Sequence, residues 1–389
     1  MKLIHTSDWH LGHLLYGYDR REEQTDMLRQ VAEALEAERP DALLVSGDIF
    51  HTAQPSGTVQ RMLVEWIMEM RRRVPAMVMV LTAGNHDSAS RLEIHRPLWE
   101  ELGVSVIGGV DRECPDRHIV EVPGKGWVAA VPYCSGRNLP EDFFAGLMER
   151  VAALDGGCGL PVVLMAHTAV AGADFTGHDD ARGYTVGGID SVDLGELGAG
   201  YDYVALGHIH RPQFVAGSSG RVRYSGTPLP VSFDEAYQHS LSVVEMEKHG
   251  SVPLVREIPV VPLRPLVTLP VAGTAAWDEA LALLADFPDD AEAYIRLNVR
   301  VDKALTPQAH QEALRVCAEK SCRFCLINAV RESGQVADRE RHAMTVSEFR
   351  AVSPLELAER YAAAIGEEFG DDMREMFNSV VADLHDSGE

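Results

Sequence analysis

Residues 2–12, KLIHTSDWHLG, decide the fold, because they join a short apolar strand directly to two polar side chains. Asp8 and His10 come at once after the strand-favouring residues 2–6. A hydrophobic strand that ends in such residues delivers them to the carboxyl edge of a sheet, where open α/β folds bind ligands. If the extended geometry persists, residues two apart leave the same face of the chain.

Further segments of the same kind follow, and most of them also come after an apolar run: VSGDIFH (45–51), TAGNHDS (82–88), LMAHTA (164–169) and ALGHIHRP (205–212). Because parallel strands end at the same edge of a sheet, their polar residues are expected to form one site. The candidate metal ligands are Asp8, His10, Asp48, Asn85, His167, His208 and His210.

This set of side chains predicts a centre for two divalent metal ions. Mixed carboxylate and imidazole ligands suit Mn²⁺, Fe²⁺ or Zn²⁺, whereas oxygen ligands alone would suit Mg²⁺. With four histidines among the seven candidates, Mn²⁺ is the expected metal, and Fe²⁺ and Mg²⁺ stay open.

Two such ions need a shared anion to sit roughly 3.5–4 Å apart and activate a water for attack on a phosphate. Asp48 is the expected bridge, because Gly47 lets the chain turn sharply after its strand. The expected division places one ion on Asp8, His10 and His210 and the other on Asn85, His167 and His208.

Two further histidines are candidates for catalysis rather than for metal binding. His86 follows Asn85 and is expected to stabilise the charged phosphorane or to protonate the leaving oxygen. Asp87 is expected to orient His86, and His51 to contact the scissile phosphate.

Length and composition predict a globular protein of two or three domains. The chain has 389 residues, of which 46% are hydrophobic and 24% charged. It contains no run of eighteen apolar residues and reaches its polar motif by residue 8, so we expect no membrane span and a cytoplasmic location. The net charge of −24 means that any contacts with nucleic acid are local or that a partner supplies positive surface.

Residues 1–265 alternate strand and helix patterns, with helices expected at 22–38 and 55–73. So many strands favour an α/β fold, with two sheets packed face to face between outer helices. Prolines in 253–270 indicate an edge strand that merges into a linker. A small α+β unit follows, with helices at 277–286 and 307–320 and strands at 293–301 and 323–330; two more helices are expected at 355–364 and 368–385.

Two other stretches have simpler interpretations. The Gly-rich residues 168–190 are too long for a plain connector, and long loops of this kind are usually functional or mobile. The pair Cys322-x-x-Cys325 lacks a second pair to complete a zinc site, and SCRFCLINAV is better explained as a strand.

These motifs resemble the signature of the calcineurin-like metallophosphoesterases: D-x-H, G-D, G-N-H and G-H-x-H. The chain is most similar to their double-strand-break repair nuclease branch. His51 in GD-x-F-H is typical of that branch, as is YSGTPLPVSFDEA (224–236), where Thr227 replaces a commoner serine. The resemblance implies a layered α/β/β/α metallophosphoesterase sandwich (1–265), a small α+β DNA-capping domain (271–345) and C-terminal helices (353–386).

The resemblance also implies a function. It implies a Mn²⁺-dependent exonuclease on double-stranded DNA ends and an endonuclease on single strands or hairpins. A homodimer and a complex with an SMC-like ATPase that docks on the C-terminal helices are implied as well. The ligands and His86 carry over by position, as does His51 with a less defined role.

Four alternatives stay open from the residues alone. Helix 55–73 could form a dimer contact or pack in the core through Met62, Leu63, Trp66 and Met70. The C-terminal helices could dock a partner or pack on the small domain. The enzyme could act on nucleotides or phosphoproteins without a partner, and a DNA-end-bridging scaffold is a non-enzymatic alternative.

Overall fold

The computed structural model describes residues 1–134, 142–176, 191–301, 305, 308–331, 370 and 373–374. Residues 1–332 form one compact unit. Apart from residues 370 and 373–374, the expected C-terminal helices lie outside the described residues, as does most of the Gly-rich stretch 168–190.

The strands of the described chain are short, and most of those in the large sheets are buried. They are β1 (Lys2–Thr6), β2 (Leu14–Leu15), β3 (Tyr18–Asp19), β4 (Ala42–Ser46), β5 (Val78–Thr82), β6 (Val104–Ile107), β7 (Ile119–Val122), β8 (Gly126–Ala130), β9 (Val162–His167), β10 (Ala169–Val170), β11 (Ser191–Val192), β12 (Tyr203–Gly207), β13 (Gln213–Phe214), β14 (Val222–Tyr224), β15 (Ser240–Glu245), β16 (Leu254–Pro259), β17 (Leu266–Leu269), β18 (Tyr294–Val301) and β19 (Arg323–Arg331).

The helices at 21–38, 57–73, 277–285 and 309–317 begin and end within three residues of the predicted positions, whereas those at 89–92, 96–101 and 143–155 were not predicted. The described residues form seven α-helices. They are α1 (Arg21–Glu38), α2 (Gly57–Arg73), α3 (Ala89–Leu92), α4 (Arg96–Glu101), α5 (Phe143–Asp155), α6 (Trp277–Ala285) and α7 (Ala309–Cys317). Helix α2 shows why: the side chain of Ser56 accepts a hydrogen bond from the Val59 amide, and arginines in the last turn complement the helix dipole.

Two six-stranded sheets form the body of the molecule. Their strand orders are β16-β15-β1-β4-β5-β6 and β13-β14-β12-β9-β8-β7. In the first sheet β1, β4, β5 and β6 are parallel; in the second, β8, β9, β12 and β14 are. Both sheets therefore gather the carboxyl ends of their central strands at one edge.

Three hydrophobic clusters separate the layers. One lies between the sheets and includes Leu44 and Val163. A second joins the first sheet to α1 and α2, and a third joins the second sheet to α5. The predicted layered α/β sandwich, with helices on both outer faces, is thereby confirmed.

The small α+β unit contains one strand that the sequence analysis assigned to a linker. Residues Leu266–Leu269 form β17, which pairs in parallel with β18, and β18 pairs in parallel with β19. Helices α6 and α7 contribute to the core that covers this sheet. The expectation of a linker there was wrong, although β16 does lie at the edge of its sheet as predicted.

Polar contacts join the small unit to the sandwich. The hydroxyl of Tyr294 donates to Glu23 at 2.5 Å, and that of Tyr18 donates to the Phe324 carbonyl at 2.9 Å. Arg264, which is almost fully buried, lies 3.0 Å from a carboxylate oxygen of Glu292. Buried and partly buried polar contacts thus hold the small unit against the sandwich.

Most of the apolar face of α2 belongs to the core. Leu63, Trp66 and Met70 are buried against the first sheet, and Met62 packs beside them. Core packing is therefore the correct interpretation for Leu63, Trp66 and Met70. Among the described residues, no helix is long and apolar enough to cross a membrane.

Candidate metal centre

The loops after β1 and β4 are joined by main-chain hydrogen bonds. The amide of Asp8 donates to the Gly47 carbonyl at 3.0 Å, and the amide of His10 donates to the Asp48 carbonyl at 3.0 Å. The amide of His51 returns a bond to the Leu11 carbonyl at 3.0 Å. This pairing continues the parallel alignment beyond the strands and fixes the first two motifs side by side.

The structure brings all seven candidate ligands together. Donor atoms of Asp8, His10 and His210 lie within 4.8 Å of one another, as do those of Asp8, Asp48 and His167. Asn85 completes the set, because its Oδ1 lies 3.0 Å from His167 Nε2 and 3.1 Å from His208 Nδ1. The five segments therefore meet at one place, as the strand ends predicted.

Several of these residues have a backbone that L-amino acids rarely adopt. Positive φ angles occur at Asp8 (53°), His10 (44°), Asp48 (49°) and His208 (98°). Such conformations cost of order 1–3 kcal/mol each and cluster at functional sites, where the surrounding structure enforces them. The concentration of strain in the candidate ligands marks this edge as the functional part of the sandwich.

Hydrogen bonds to Nδ1 fix the tautomer of two histidines. His167 Nδ1 lies 2.9 Å from the Ser46 carbonyl, which can only accept, and so this nitrogen carries the proton. His210 Nδ1 lies 2.8 Å from Glu235 Oε1 in the same way. Each arrangement leaves Nε2 directed at the other donors, which is how metal-binding histidines are usually held.

The electrostatics of the site are those of carboxylates and imidazoles forced close together. Burial raises the pKa of Asp8, and His167 and His210 only partly oppose that effect. Burial would also raise the pKa of Asp48, but His167 and His10 outweigh it and hold the pKa below its usual range. Burial would lower the pKa of His167, but Asp48 raises it to about 9.

This donor set fits divalent cations. Asp8 and Asp48 are almost fully buried, and buried carboxylates need compensating positive charge. The imidazole Nε2 atoms of His10 and His210 lie only 3.2 Å apart, and within the described part of the chain His10 Nδ1 has no hydrogen-bond partner. Ions held by these side chains would supply the charge and occupy the converging nitrogens.

His86 and His51 lie beside the seven donors. The ring centroids of His10 and His86 are 5.0 Å apart, and the rings of His51 and His86 are stacked at 5.4 Å. His86 Nδ1 donates to the His51 carbonyl at 2.9 Å, and this bond leaves Nε2 available to a substrate. His13, which sequence reasoning missed, packs edge-on against His51 at 4.5 Å.

Asp87 has a different role from the expected one. Its carboxylate accepts the backbone amides of Ile49, Phe50 and Gly84 at 3.0, 2.9 and 2.9 Å. The expectation that it orients His86 was wrong, because the His51 carbonyl does so instead. Asp87 therefore ties the GNHD loop to the GDIFH loop.

Glu235 is a second residue that sequence reasoning missed. It is buried, and it holds His210 through the 2.8 Å bond described above. Its only sequence signal is its place within the SFDEA segment, which nothing in the sequence connects with His210.

Cys322 and Cys325 make separate contacts. Cys322 Sγ lies 3.7 Å from Cys317 Sγ, and Cys325 Sγ contacts the Arg323 carbonyl. The CxxC pair stands at the start of β19, as the strand interpretation predicted.

The sandwich and its converging donors define a metal-dependent phosphoesterase of the calcineurin-like kind, and the family model "Calcineurin-like phosphoesterase" matches residues 1–212. Within it, this chain belongs to the SbcD family of nuclease subunits.

Three relatives, each the SbcD subunit of an SbcCD nuclease, show the extent of that similarity. The chain is 35% identical to the SbcD protein of Rhodobacter capsulatus, over 79% of this chain and 82% of that protein. It is 34% identical to the SbcD protein of Bacillus subtilis, over 79% and 81%. For the SbcD protein of Escherichia coli K12 the identity is 25%, over 78% and 79%.

Proposed function

We propose that this protein is a Mn²⁺-dependent DNA nuclease subunit that acts with the SMC-like ATPase SbcC in DNA end processing, repair and recombination. Its proposed activities are exonuclease on double-stranded ends and endonuclease on single strands and hairpins. The observation that carries the proposal is the convergence of the seven candidate metal ligands with two further imidazoles at one edge of the sandwich. The names of the relatives support the substrate class and the partner.

The chain's own residues have distinct proposed tasks. Asp48 would bridge two ions, with Asp8, His10 and His210 on one and Asn85, His167 and His208 on the other. Bound divalent ions would neutralise a scissile phosphate and activate a water. His86 is proposed to hold a phosphate oxygen or to protonate the leaving oxygen through Nε2. His51, whose ring stacks on that of His86, is proposed to contact the scissile phosphate.

The rest of the chain has proposed roles as well. Residues 271–345 would form a capping domain that helps to hold DNA, and residues 353–386 would dock the base of the ATPase coiled coil. Because the net charge is −24, much of the positive surface for DNA is proposed to come from the partner and from bound cations. A homodimer and a cytoplasmic, nucleoid-associated location complete the proposal.

Purified full-length protein with Mn²⁺ tests the activity. We expect shortening of end-labelled linear duplex and nicking of a hairpin, and no cleavage after EDTA treatment. Turnover of bis-p-nitrophenyl phosphate without any cleavage of DNA, with and without the co-expressed ATPase, would contradict the proposal. That result would favour a phosphoesterase of small substrates.

A further inference from the structure

His210 and His167 are two candidate ligands whose Nδ1 atoms are hydrogen-bonded, but their acceptors differ in kind. His167 is held by a main-chain carbonyl of β4, deep in the sandwich. His210 is held by a side-chain carboxylate from a separate segment, at 2.8 Å. The second oxygen of Glu235 accepts the Val231 amide at 3.1 Å. The position of His210 therefore depends on where this segment lies.

The segment is a tight turn, Ser232–Glu235, which we name the SFDE turn. The amide of Glu235 donates to the Ser232 carbonyl at 3.2 Å, and the amide of Asp234 donates to Ser232 Oγ at 3.2 Å. These bonds make the turn a rigid unit, so a displacement of Phe233 or Asp234 also displaces Glu235.

Arg296 of the small unit contacts two residues of this turn. Its Nη1 lies 2.7 Å from Asp234 Oδ1, and its guanidinium carbon lies 5.2 Å from the centroid of the Phe233 ring. Its Nε donates to Thr268 Oγ1 at 3.1 Å, and this bond fixes the side chain to β17. The arginine side chain is only 15% exposed and the aspartate 30%, so water screens the pair weakly.

We infer that Arg296 is a positioning residue for the metal centre, acting on His210 through the SFDE turn and Glu235. The small unit thereby contributes to the affinity of the site for its ion. This inference rests on the proposed metal binding. It adds a physical connection between the small unit and one candidate ligand, His210.

The losses of metal affinity caused by changing Glu235 and by changing Arg296 should differ in size. Removing the carboxylate that holds a metal-binding histidine typically lowers metal affinity about 10–100-fold. A residue that acts one step further away should have a smaller effect, about threefold to tenfold. Because both residues act on the same histidine, their effects should not add.

The test measures Mn²⁺ affinity of the full chain from the electron paramagnetic resonance signal of free Mn²⁺. The variants are Glu235→Gln, Arg296→Met, Arg296→Lys and the double variant Glu235→Gln/Arg296→Met. Arg300→Met, at an exposed position of the same strand β18, is the matched control. Thermal unfolding in EDTA reports whether each variant is folded.

We expect Arg296→Met to weaken one Mn²⁺ site, Arg296→Lys to restore part of the affinity, and Arg300→Met to match the wild type. The double variant should bind as Glu235→Gln alone does. The inference is overturned if Arg296→Met binds Mn²⁺ within twofold of the wild type, or if the two effects add. If the wild type itself binds no divalent ion, the proposed function fails first, and the two failures are thereby distinguished.

Discussion

Gly84 lies directly against the carboxylate of Asp48. A Cβ placed on Gly84 would come within 2.0 Å of Asp48 Oδ1 and 2.3 Å of the Asp48 amide nitrogen. Contacts this short are forbidden, and Asp48 is almost fully buried in a closely packed interior. The GNHD loop therefore approaches the proposed bridging residue as closely as a backbone can.

Gly84→Ala is expected to lower Mn²⁺ affinity at least about tenfold, because the added methyl displaces the carboxylate that both ions would share. Isothermal titration calorimetry measures the change. Gly57→Ala is the control, since a Cβ there meets nothing within 4 Å. Equal affinities of the two variants would show that Asp48 does not hold metal.

His86→Gln is expected to reduce DNA cleavage about 10²–10⁴-fold, because the imidazole is the proposed proton donor or phosphate contact. The backbone amide of His86, rather than its ring, holds Asp48 Oδ1 at 2.9 Å. The metal content of the variant should therefore equal that of the wild type, as measured by plasma mass spectrometry. A variant that cleaves at the wild-type rate would remove His86 from the mechanism.

The strands and their terminal polar residues could be predicted together, because one local pattern encodes both. An apolar run such as ALLVS buries a parallel strand, and the Gly47-Asp48 that follows it stands at the sheet edge. Strand β17 was missed because Pro265 and Pro270 flank it, although the strand itself contains no proline.

Contacts that only the tertiary fold creates could not be predicted. Glu235 is 25 residues from His210, and no local periodicity links them. Asp87 was expected to orient its neighbour His86, but its side chain accepts hydrogen bonds from three backbone amides in two loops, those of Ile49, Phe50 and Gly84. The side chain of Asp87 is oriented by hydrogen bonds to buried backbone amides, which need an acceptor. No sequence pattern shows which amides will need one.

Asp87→Ala is expected to reduce the free energy of unfolding by about 2–4 kcal/mol, because three loop amides lose a charged acceptor. Urea denaturation in EDTA measures this loss apart from metal binding. Asp116→Ala is the control, because the Asp116 side chain is 62% exposed and pairs with Arg150 at the surface. A loss in Asp87→Ala no larger than that in the control would contradict the anchoring role.

His5 joins the two sheets and should make stability depend on pH. Its Nδ1 lies 2.9 Å from the hydroxyl of Tyr203 in the opposite sheet, and burial, aided by Arg223, lowers its pKa to about 3. In the unfolded chain the His5 imidazole takes up a proton near pH 6.5, whereas in the folded chain it does so only near pH 3. Protonation therefore favours unfolding as the pH falls through this window.

Between pH 7 and pH 5 this histidine should cost the wild type about 2 kcal/mol of stability. His5→Gln removes the titrating group and keeps a polar partner for Tyr203, so its stability should fall less over the same interval. His310→Gln, at an exposed position of α7, should retain the wild-type pH dependence. Urea denaturation of the three proteins in EDTA at both pH values measures the differences. Parallel pH profiles for the wild type and His5→Gln would mean that the imidazole between the sheets is protonated in the folded protein as readily as in the unfolded chain.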